Sequence, residues 1–219
     1  MARTAPTAAA TRRPGKPPRR RTQAERSALS EKLMLRAAVK LIARQGYSRT
    51  TLAEIGKVAG YSGGLVSHRF GSKQDLLRAL VERMTTRFAH DQMIPAIEGR
   101  AGLDALCEMG DTYLRELAAR EERLRALYVL MGEALGPVPE LRSVFAELNE
   151  SIRSAAGGCI RRGIEEGRIR ADVDPGAGAA MFLALLRGVA MQWLVDPGAV
   201  DLAALRESVK ETIRRSLAR

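Results

Sequence analysis

Apolar residues recur at the spacing of an α-helix along most of the chain, and no stretch alternates in the way of a β-strand. In residues 30–45 they form two neighbouring rows in which successive residues are four positions apart, and the basic residues lie outside these rows. The rows are Leu33, Ala37 and Leu41, and Met34, Ala38 and Ile42. Similar patterns begin at residue 72 and continue through several later segments. The sequence therefore predicts an all-α protein of about nine helices.

Two short helices joined by a tight turn are predicted early in the chain. Thr51 and Glu54 have the spacing of a capping box, which marks the start of the first of these helices. Gly60 stands where that helix would end, and Ser62 is placed to cap the second one. This is the spacing of a helix-turn-helix, whose second helix enters the major groove of DNA.

The same stretch resembles the DNA-binding domain of the tetracycline-repressor (TetR) family, without a gap from about residue 33 to residue 77. The matching residues are Gly46, Tyr47, Thr50, Thr51, Leu52, Ile55, Gly60, Ser62, Phe70, Ser72 and Lys73. The loop at residues 165–175 and the apolar helix after it resemble the body of TetR relatives grouped with the choline-responsive regulator of betaine synthesis. The resemblance implies a three-helix DNA-binding head, followed by a helical-bundle body that binds an effector and dimerises.

Three parts of the chain follow from these patterns. Residues 1–25 are rich in alanine, threonine, proline and arginine and cannot bury a core, so we expect a disordered basic arm. This arm is either a solubilising tail or a segment that contacts phosphates or an adjacent minor groove. Residues 26–73 are the expected DNA-binding domain, and residues 74–219 the expected domain for effector binding and dimerisation.

The basic excess is confined to the first third of the chain. Residues 1–24 carry seven lysines and arginines and no acid, and residues 25–75 carry nine against four. Residues 76–219 carry twenty against twenty-one, although the whole chain has a net charge of +11. A polyanion is therefore expected to bind near the N-terminus, while the balanced remainder has another task.

The resemblance implies the DNA contacts position by position. Thr51 opens the first of the two helices, where free amides suit a phosphate, and Lys73 corresponds to the family's phosphate-anchoring lysine. Arg69 would bind a guanine and Leu65 a thymine methyl group. Ser67 departs from the family, which usually has tyrosine there. The full set is Thr51, Ser62, Gly63, Gly64, Leu65, Ser67, His68, Arg69 and Lys73.

Some of these residues also have a simpler explanation. Leu65 would then simply pack against the protein. His68 would contact only solvent. Thr51 caps its helix whether or not DNA is present, so its two roles are compatible.

The neutral body has two expected uses, self-association and a pocket between helices. The expected dimer interface consists of Leu186, Val189, Leu205, Val209 and Ile213. The candidate pocket residues, which core packing would explain equally well, are Met109, Tyr113, Tyr128, Met131, Phe145, Met181 and Trp193. A choline-type cation needs an aromatic cage, and the aromatic residues here are few and dispersed, so choline is not expected.

The sequence does not support a metal site, a disulfide, a signal peptide or a membrane-spanning segment. Cys107 and Cys159 form no Cys-x-x-Cys motif, and the chain has only two histidines, so neither a metal site nor a disulfide is expected, nor any cofactor. No segment of signal-peptide type is seen at the start. The most apolar run, residues 176–186, ends at Arg187 and looks too short to cross a bilayer. We expect a cytoplasmic protein, associated with the nucleoid when bound to DNA, and no membrane partner.

The sequence thus predicts a homodimeric transcriptional repressor that binds double-stranded DNA at an inverted repeat and responds to a small molecule. An architectural DNA binder without an effector is one alternative, and an enzyme within the body is another. The body has no cluster of nucleophile and base and no glycine-rich phosphate loop, which disfavours the enzyme. A cavity of several hundred Å³ would favour a sensor over an architectural protein.

Overall fold

The computed structural model describes residues 22–219, and nearly all of this range is helical. It holds nine helices of eight residues or more and one short helix, which confirms the all-α prediction. They are α1 Gln23–Gln45, α2 Leu52–Ala59, α3 Gly63–Phe70, α4 Lys73–Phe88, α5 Ile94–Ile97, α6 Gly102–Ala119, α7 Glu121–Leu135, α8 Arg142–Glu165, α9 Pro175–Val195 and α10 Leu202–Leu217. A π-helical turn, Ala89–Met93, joins α4 to α5, and a 3-10 turn, Pro139–Leu141, precedes α8. Within this part of the chain the one β-type pairing is an isolated bridge between Ile169 and Ala218.

Helix α1 begins earlier than its apolar rows predict. The Thr22 hydroxyl accepts a hydrogen bond from the Glu25 amide at 3.2 Å, and the Glu25 carboxylate accepts one from the Thr22 amide at 2.7 Å. This capping box starts the helix at Gln23, so the expected boundary of the arm at residue 25 is wrong. The rest of the predicted arm, residues 1–21, lies outside the described residues.

Helices α1, α2 and α3 form the head, which packs around buried apolar side chains from all three helices. The buried residues are Met34, Leu35, Ala37, Ala38 and Ile42 of α1, Ile55 of α2 and Val66 of α3. The first half of α4 adds Leu76, Leu77 and Leu80 to the same continuous core. Helix α4 therefore belongs to both parts of the molecule, since its far end borders helices α6 to α10, which we call the body.

Helix α9 is a core helix of the body. By length and composition this 21-residue helix could cross a membrane, since an 18-residue window of it has a mean hydropathy of 1.5. The expectation of too short a run concerned residues 176–186 alone. The helix packs against α6, α8 and α10 instead. Its buried residues are Ala179, Phe182, Leu183, Leu186, Val189, Ala190 and Leu194.

The residues predicted to hold a dimer are inside the protomer. Leu186, Val209 and Ile213 are 2%, 3% and 4% exposed, Val189 is buried, and Leu205 packs against the core. A methyl group built on Gly110 of α6 would lie 3.4–3.5 Å from Leu186, Ile213 and Phe182. The apolar face of α10 thus covers α6 of its own chain, and the predicted interface is wrong at these positions.

Candidate DNA-binding surface and effector cavity

The outer surface of α3 exposes five of the predicted DNA-binding positions. They are Ser62, Gly64, Leu65, Ser67 and His68. Ser62 caps the helix, since its hydroxyl accepts the Leu65 amide at 3.2 Å. Val66, on the opposite side, is fully buried and fixes which face of α3 points outward. The exposed face of α3 therefore has few polar side chains that could contact bases in a DNA groove.

Gly63 faces α2 rather than solvent. A Cβ atom at this position would lie 2.8 Å from the Cα of Ala53, and a Cβ on Gly56 would lie 2.9 Å from the Gly63 nitrogen. The two glycines allow α2 and α3 to approach backbone to backbone. The predicted base-facing role of Gly63 is therefore wrong, because this position is used for helix packing.

Arg69 also points into the head. Its Nη1 donates to the Ser27 hydroxyl at 2.8 Å and lies 3.8 Å from a Glu31 oxygen. Glu31 binds Arg83 of α4 as well, at 3.2 Å. The guanidinium thus ties the end of α3 to α1, and the prediction that Arg69 binds guanine does not fit this geometry.

Lys73 and Thr51 lie on either side of the turn that enters α2. The Lys73 ammonium is 4.0 Å from the centroid of the Tyr47 ring and donates to the Ser48 carbonyl at 3.3 Å. Burial lowers the pKa of Lys73, although the charges of Glu133 and Glu54 oppose this shift. Thr51 is exposed, and its hydroxyl lies 2.9 Å from a Glu54 oxygen within the expected capping box. Both residues adjoin a helix N-terminus, where backbone amides favour anions.

A carboxylate of the body holds the same turn. Glu133 of α7 accepts the Tyr47 amide at 2.8 Å, the Ser48 amide at 3.0 Å and the Ser48 hydroxyl at 2.8 Å. Gly46 leaves room for this approach, since a Cβ there would be 2.5 Å from the Glu133 oxygen. We call this contact the Glu133 clasp. It connects the body to the turn beside Lys73.

A cavity of about 180 Å³ lies between α4, α6, α7, α8 and α9. Most of its wall is apolar and includes Met84, Phe88, Met93, Leu148, Ile152 and Leu186. The π-helical turn after α4 contributes to the wall, and such turns often occur at functional sites. This volume is smaller than the several hundred Å³ that would favour a sensor, so that expectation is not met. The apolar wall with a few polar groups still has room for one small organic ligand.

The α6–α7 side of the cavity carries its charged groups, which we call the polar wall. Glu116 lies 3.3 Å from Nη1 of Arg123 and 3.0 Å from Nε of Arg120. Arg123 also donates to the main-chain carbonyl of Met84 in α4. Burial lowers the pKa of Arg123, while the charge of Glu116 opposes this shift. The pair is shielded from water, since the side chains of Glu116 and Arg123 are 10% and 19% exposed.

Tyr113 completes the polar wall. Its hydroxyl lies 2.7 Å from the hydroxyl of Tyr128, which stands behind it on α7. Burial raises the pKa of both tyrosines, so both remain protonated at neutral pH. Each hydroxyl has one proton, and only one is needed for the bond between them.

Two of the predicted pocket residues, Met109 and Tyr113, line the cavity, and Tyr128 reaches it through Tyr113. Met131, Phe145 and Trp193 pack against the apolar core without lining it. Met181 is 71% exposed on the outer face of α9, so its predicted place in a pocket is wrong. Helical periodicity in the sequence does not distinguish a cavity wall, a packed core and an exposed helix face, because all three accept medium-sized apolar side chains.

Two family models match the chain. Residues 34–80 match the bacterial regulatory proteins of the tetR family, and residues 102–218 match the C-terminal domain of BetI-type transcriptional repressors. The second match spans more than half of the chain. The protein belongs to the TetR family.

Similarity to individual transcriptional regulators supports this family assignment. The probable HTH-type transcriptional regulator ArpR of Pseudomonas putida is 30% identical over 178 residues, which cover 77% of this chain and 82% of ArpR. The HTH-type transcriptional repressor BepR of Brucella suis is 24% identical over 90% of this chain and 96% of its own. A regulator from Saccharomonospora viridis, solved in complex with choline, has the same fold with a TM-score of 0.76, 20% identity and 88% and 99% coverage.

Membership of the TetR family settles the functional class. The protein is a DNA-binding transcriptional regulator, and the expectation that it is not an enzyme is confirmed because its relatives are regulators. Proteins of this family are soluble and cytoplasmic. Among residues 22–219, no group of three or more histidine, cysteine or acidic side chains is arranged to hold a metal ion.

Several functional contacts of this TetR-family protein were missed in the sequence. Arg123, Glu133 and Glu31 contact Met84, Tyr47 and Arg69, which lie 38 or more positions away in the chain. Glu116 binds Arg120 and Arg123, four and seven positions further on. Their only local signal is the spacing of four between Glu116 and Arg120, which suggests nothing more than a surface ion pair.

Proposed function

We propose that this TetR-family regulator is a repressor that binds an inverted-repeat operator as a homodimer and leaves it when a small molecule occupies the cavity. Residues 26–73 would then bind DNA, and residues 74–219 would bind the effector and the second protomer. The observation that carries this proposal is the position of α4. Its first residue, Lys73, adjoins the head's exposed surface, and Met84 and Phe88 near its other end line the cavity. A ligand that moves α4 therefore changes the head.

The DNA contacts in this proposal are mainly to phosphates. Lys73 and Thr51 are placed at helix N-termini, and the exposed face of α3 supplies Leu65, Ser67 and His68 to the groove. With Gly63 and Arg69 turned inward, few side chains remain for base recognition. DNA shape and close approach of the backbone at Gly64 would supply the remaining specificity.

Selection from random duplexes tests the proposed function. The wild-type protein is expected to enrich an inverted repeat, because two heads related by a two-fold axis need two matching half-sites. Lys73→Ala is expected to weaken binding to the enriched sequence and to unrelated duplexes by similar factors, since a phosphate contact carries no sequence information. Competition binding at fixed salt measures both factors.

Lys40→Ala is the matched control for this experiment. Lys40 is an exposed lysine of α1 that borders the groove between α1 and α7 rather than the exposed face of α3. Its loss should change both affinities little. Enrichment of a sequence without two-fold symmetry would contradict the proposed dimeric repressor, and an unchanged affinity of Lys73→Ala would remove Lys73 from the contacts.

The second protomer is proposed to bind the exposed face of α9. This face carries a stripe of small and flexible apolar residues at helical spacing, which we call the α9 stripe. It consists of Met181, Ala184, Gly188, Met191 and Val195. Met181 and Val195 are 71% and 77% exposed, which is unusual for apolar side chains of their size. An isologous contact between two such stripes would cover both.

The proposed effector is not choline. The choline complex concerns a protein with the same fold and 20% identity. In this chain the aromatic residues of the cavity wall are Phe88 and Tyr113, which are too few for a cage around a quaternary ammonium group. The one carboxylate of the cavity wall, Glu116, is already paired with Arg123 and, outside the wall, with Arg120.

A further inference from the structure

The ion pairs of the polar wall can rearrange to bind a ligand anion more easily than a ligand cation. Glu116 has two cationic partners, Arg120 and Arg123. If a ligand anion bound Arg123, Glu116 would keep its contact with Arg120 on the next turn of the helix. If a ligand cation bound Glu116, Arg123 would lose its carboxylate partner while buried, which is costly. The arrangement of Glu116, Arg120 and Arg123 therefore favours an anion over a cation.

A second, partly buried arginine lies near the tyrosine pair of the polar wall. Arg187 of α9 donates to the side-chain oxygen of Asn149 on α8. Within residues 22–219 it has no carboxylate within ion-pair distance, and the other charge near it is that of Arg153. Its charge acts on the hydroxyls of Tyr113 and Tyr128. Arg187 thus adds a positive charge near the two hydroxyls of the polar wall.

The ligand's shape follows from the remaining walls. The walls formed by α4, α8 and α9 are mostly apolar, with the hydroxyls of Thr85 and Ser151 as their polar groups, and the volume of about 180 Å³ suits one ring or a short chain. A charged ligand group placed away from the polar wall would find no charged partner, and burying it there would be costly. The unused hydroxyl proton of the Tyr113–Tyr128 pair can be donated to a ligand oxygen.

We propose that the cavity binds a small amphipathic organic anion, a ring or short apolar chain ending in one carboxylate, whose carboxylate binds Arg123 and the Tyr113 hydroxyl. This inference rests on the proposed function of the cavity as the effector site. The bound carboxylate acts on the guanidinium that also holds the Met84 carbonyl of α4. The ligand's charged group is therefore directly connected to the helix that leads to the head.

Three probes with one skeleton and different end groups test this inference on the full-length protein. They are 4-phenylbutyrate, 4-phenylbutan-1-ol and 4-phenylbutylamine, each titrated by isothermal calorimetry. We expect the carboxylate to bind about tenfold or more tighter than the alcohol, because hydrogen bonds to charged groups are the stronger ones. The amine should bind most weakly.

Matched variants identify the residue responsible. Arg123→Met keeps an unbranched side chain, although a shorter one, and leaves Glu116 paired with Arg120, and it should reduce the carboxylate's advantage over the alcohol to about twofold or less. Arg125→Met, at a partly exposed position of the same helix paired with Glu121, should keep the advantage. The double variant Glu116→Gln/Arg123→Met removes both charges, so it tests the same loss if the single variant folds poorly.

Operator binding is measured on the same samples, so that the two proposals fail separately. Equal affinity for the carboxylate and the alcohol, preference for the amine, or no binding of any probe would overturn the anion inference while wild-type DNA binding stays intact. A carboxylate preference that survives in Arg123→Met and in the double variant would overturn it as well. Absence of specific DNA binding by the wild-type protein would instead contradict the proposed function.

Discussion

Two neighbouring glycines at the start of α3 have opposite surroundings. A Cβ on Gly63 would lie 2.8 Å from the Cα of Ala53, a backbone atom that cannot move aside. A Cβ on Gly64 would meet nothing closer than the Ser62 hydroxyl, at 4.0 Å. At the residue scale, the same amino acid thus serves close packing at one position and exposes bare backbone at the next.

These surroundings lead to opposite effects of one substitution. Gly63→Ala should destabilise the head by about 1–3 kcal/mol, because the new methyl group forces α2 and α3 apart. Gly64→Ala should stabilise it by about 0.4–1 kcal/mol, because the unfolded chain loses freedom and no contact is strained. Urea unfolding of both variants beside the wild type measures the difference. A Gly63→Ala protein as stable as Gly64→Ala would contradict the close approach.

Local residue signals were read correctly, and contacts between distant residues were not. The caps at Thr51 and Ser62 are where the sequence predicts them, since a cap and its helix are adjacent in the chain. Arg69 was misplaced because its partner Ser27 lies 42 residues away. No local pattern at residue 69 indicates a hydroxyl on α1.

At the scale of elements, the Glu133 clasp joins α7 to the turn between α1 and α2. Three hydrogen bonds converge on one carboxylate, and two of their donors are main-chain amides. A carboxylate that binds backbone amides holds the position of the turn more firmly than apolar contacts do, because hydrogen bonds depend on direction. The turn carries the Ser48 carbonyl that binds Lys73.

Removing the clasp should loosen this turn selectively. Glu133→Ala is expected to lower the free energy of unfolding by about 1–3 kcal/mol, since the Tyr47 amide becomes unsatisfied in a partly buried place. Hydrogen exchange of the Tyr47 and Ser48 amides should accelerate more than that of α6 amides. Glu122→Ala, an exposed position on the same helix, is the control. Uniform acceleration throughout the protein would indicate a general loss of stability rather than a local clasp.

The periodicity of an element predicts which of its faces is buried, but not what covers that face. The sequence predicts an apolar stripe on α10, with Val209 and Ile213, and assigns it to a second protomer, but both residues are buried within their own protomer. Its actual cover is α6, about a hundred residues earlier in the chain. The sequence pattern could not predict the cavity either, because its walls come from five helices that meet only in the folded protein.

At the scale of the whole molecule, the proposed dimer would supply what a single head lacks for DNA recognition. One short reading helix contacts too few base pairs to find an operator among a genome's competing sites. Two copies double the contacts and demand a fixed distance between heads. The α9 stripe is the exposed apolar face of the body best placed to join them, since the opposite face of α9 is buried in the protomer.

Gly188 lies at the centre of this stripe and offers a clean test. A side chain built there meets nothing within 4 Å in the protomer, so Gly188→Glu should leave the fold intact. In a dimer the same carboxylate would face its copy in an apolar contact, at a cost of roughly 2 kcal/mol or more per unpaired group. We expect a folded monomer that has lost its affinity for the inverted repeat, measured by sedimentation and operator binding on one sample.

Gly132→Glu is the matched control for the dimer, since Gly132 is an exposed, equally open helical glycine on α7. It should sediment as the wild-type protein does. Leu186→Glu and Ile213→Glu, by contrast, should unfold the protomer, because their side chains are buried within it. A Gly188→Glu protein that remains dimeric would place the interface on another face. A monomeric wild type that still binds the inverted repeat tightly would mean that the operator itself assembles the two heads.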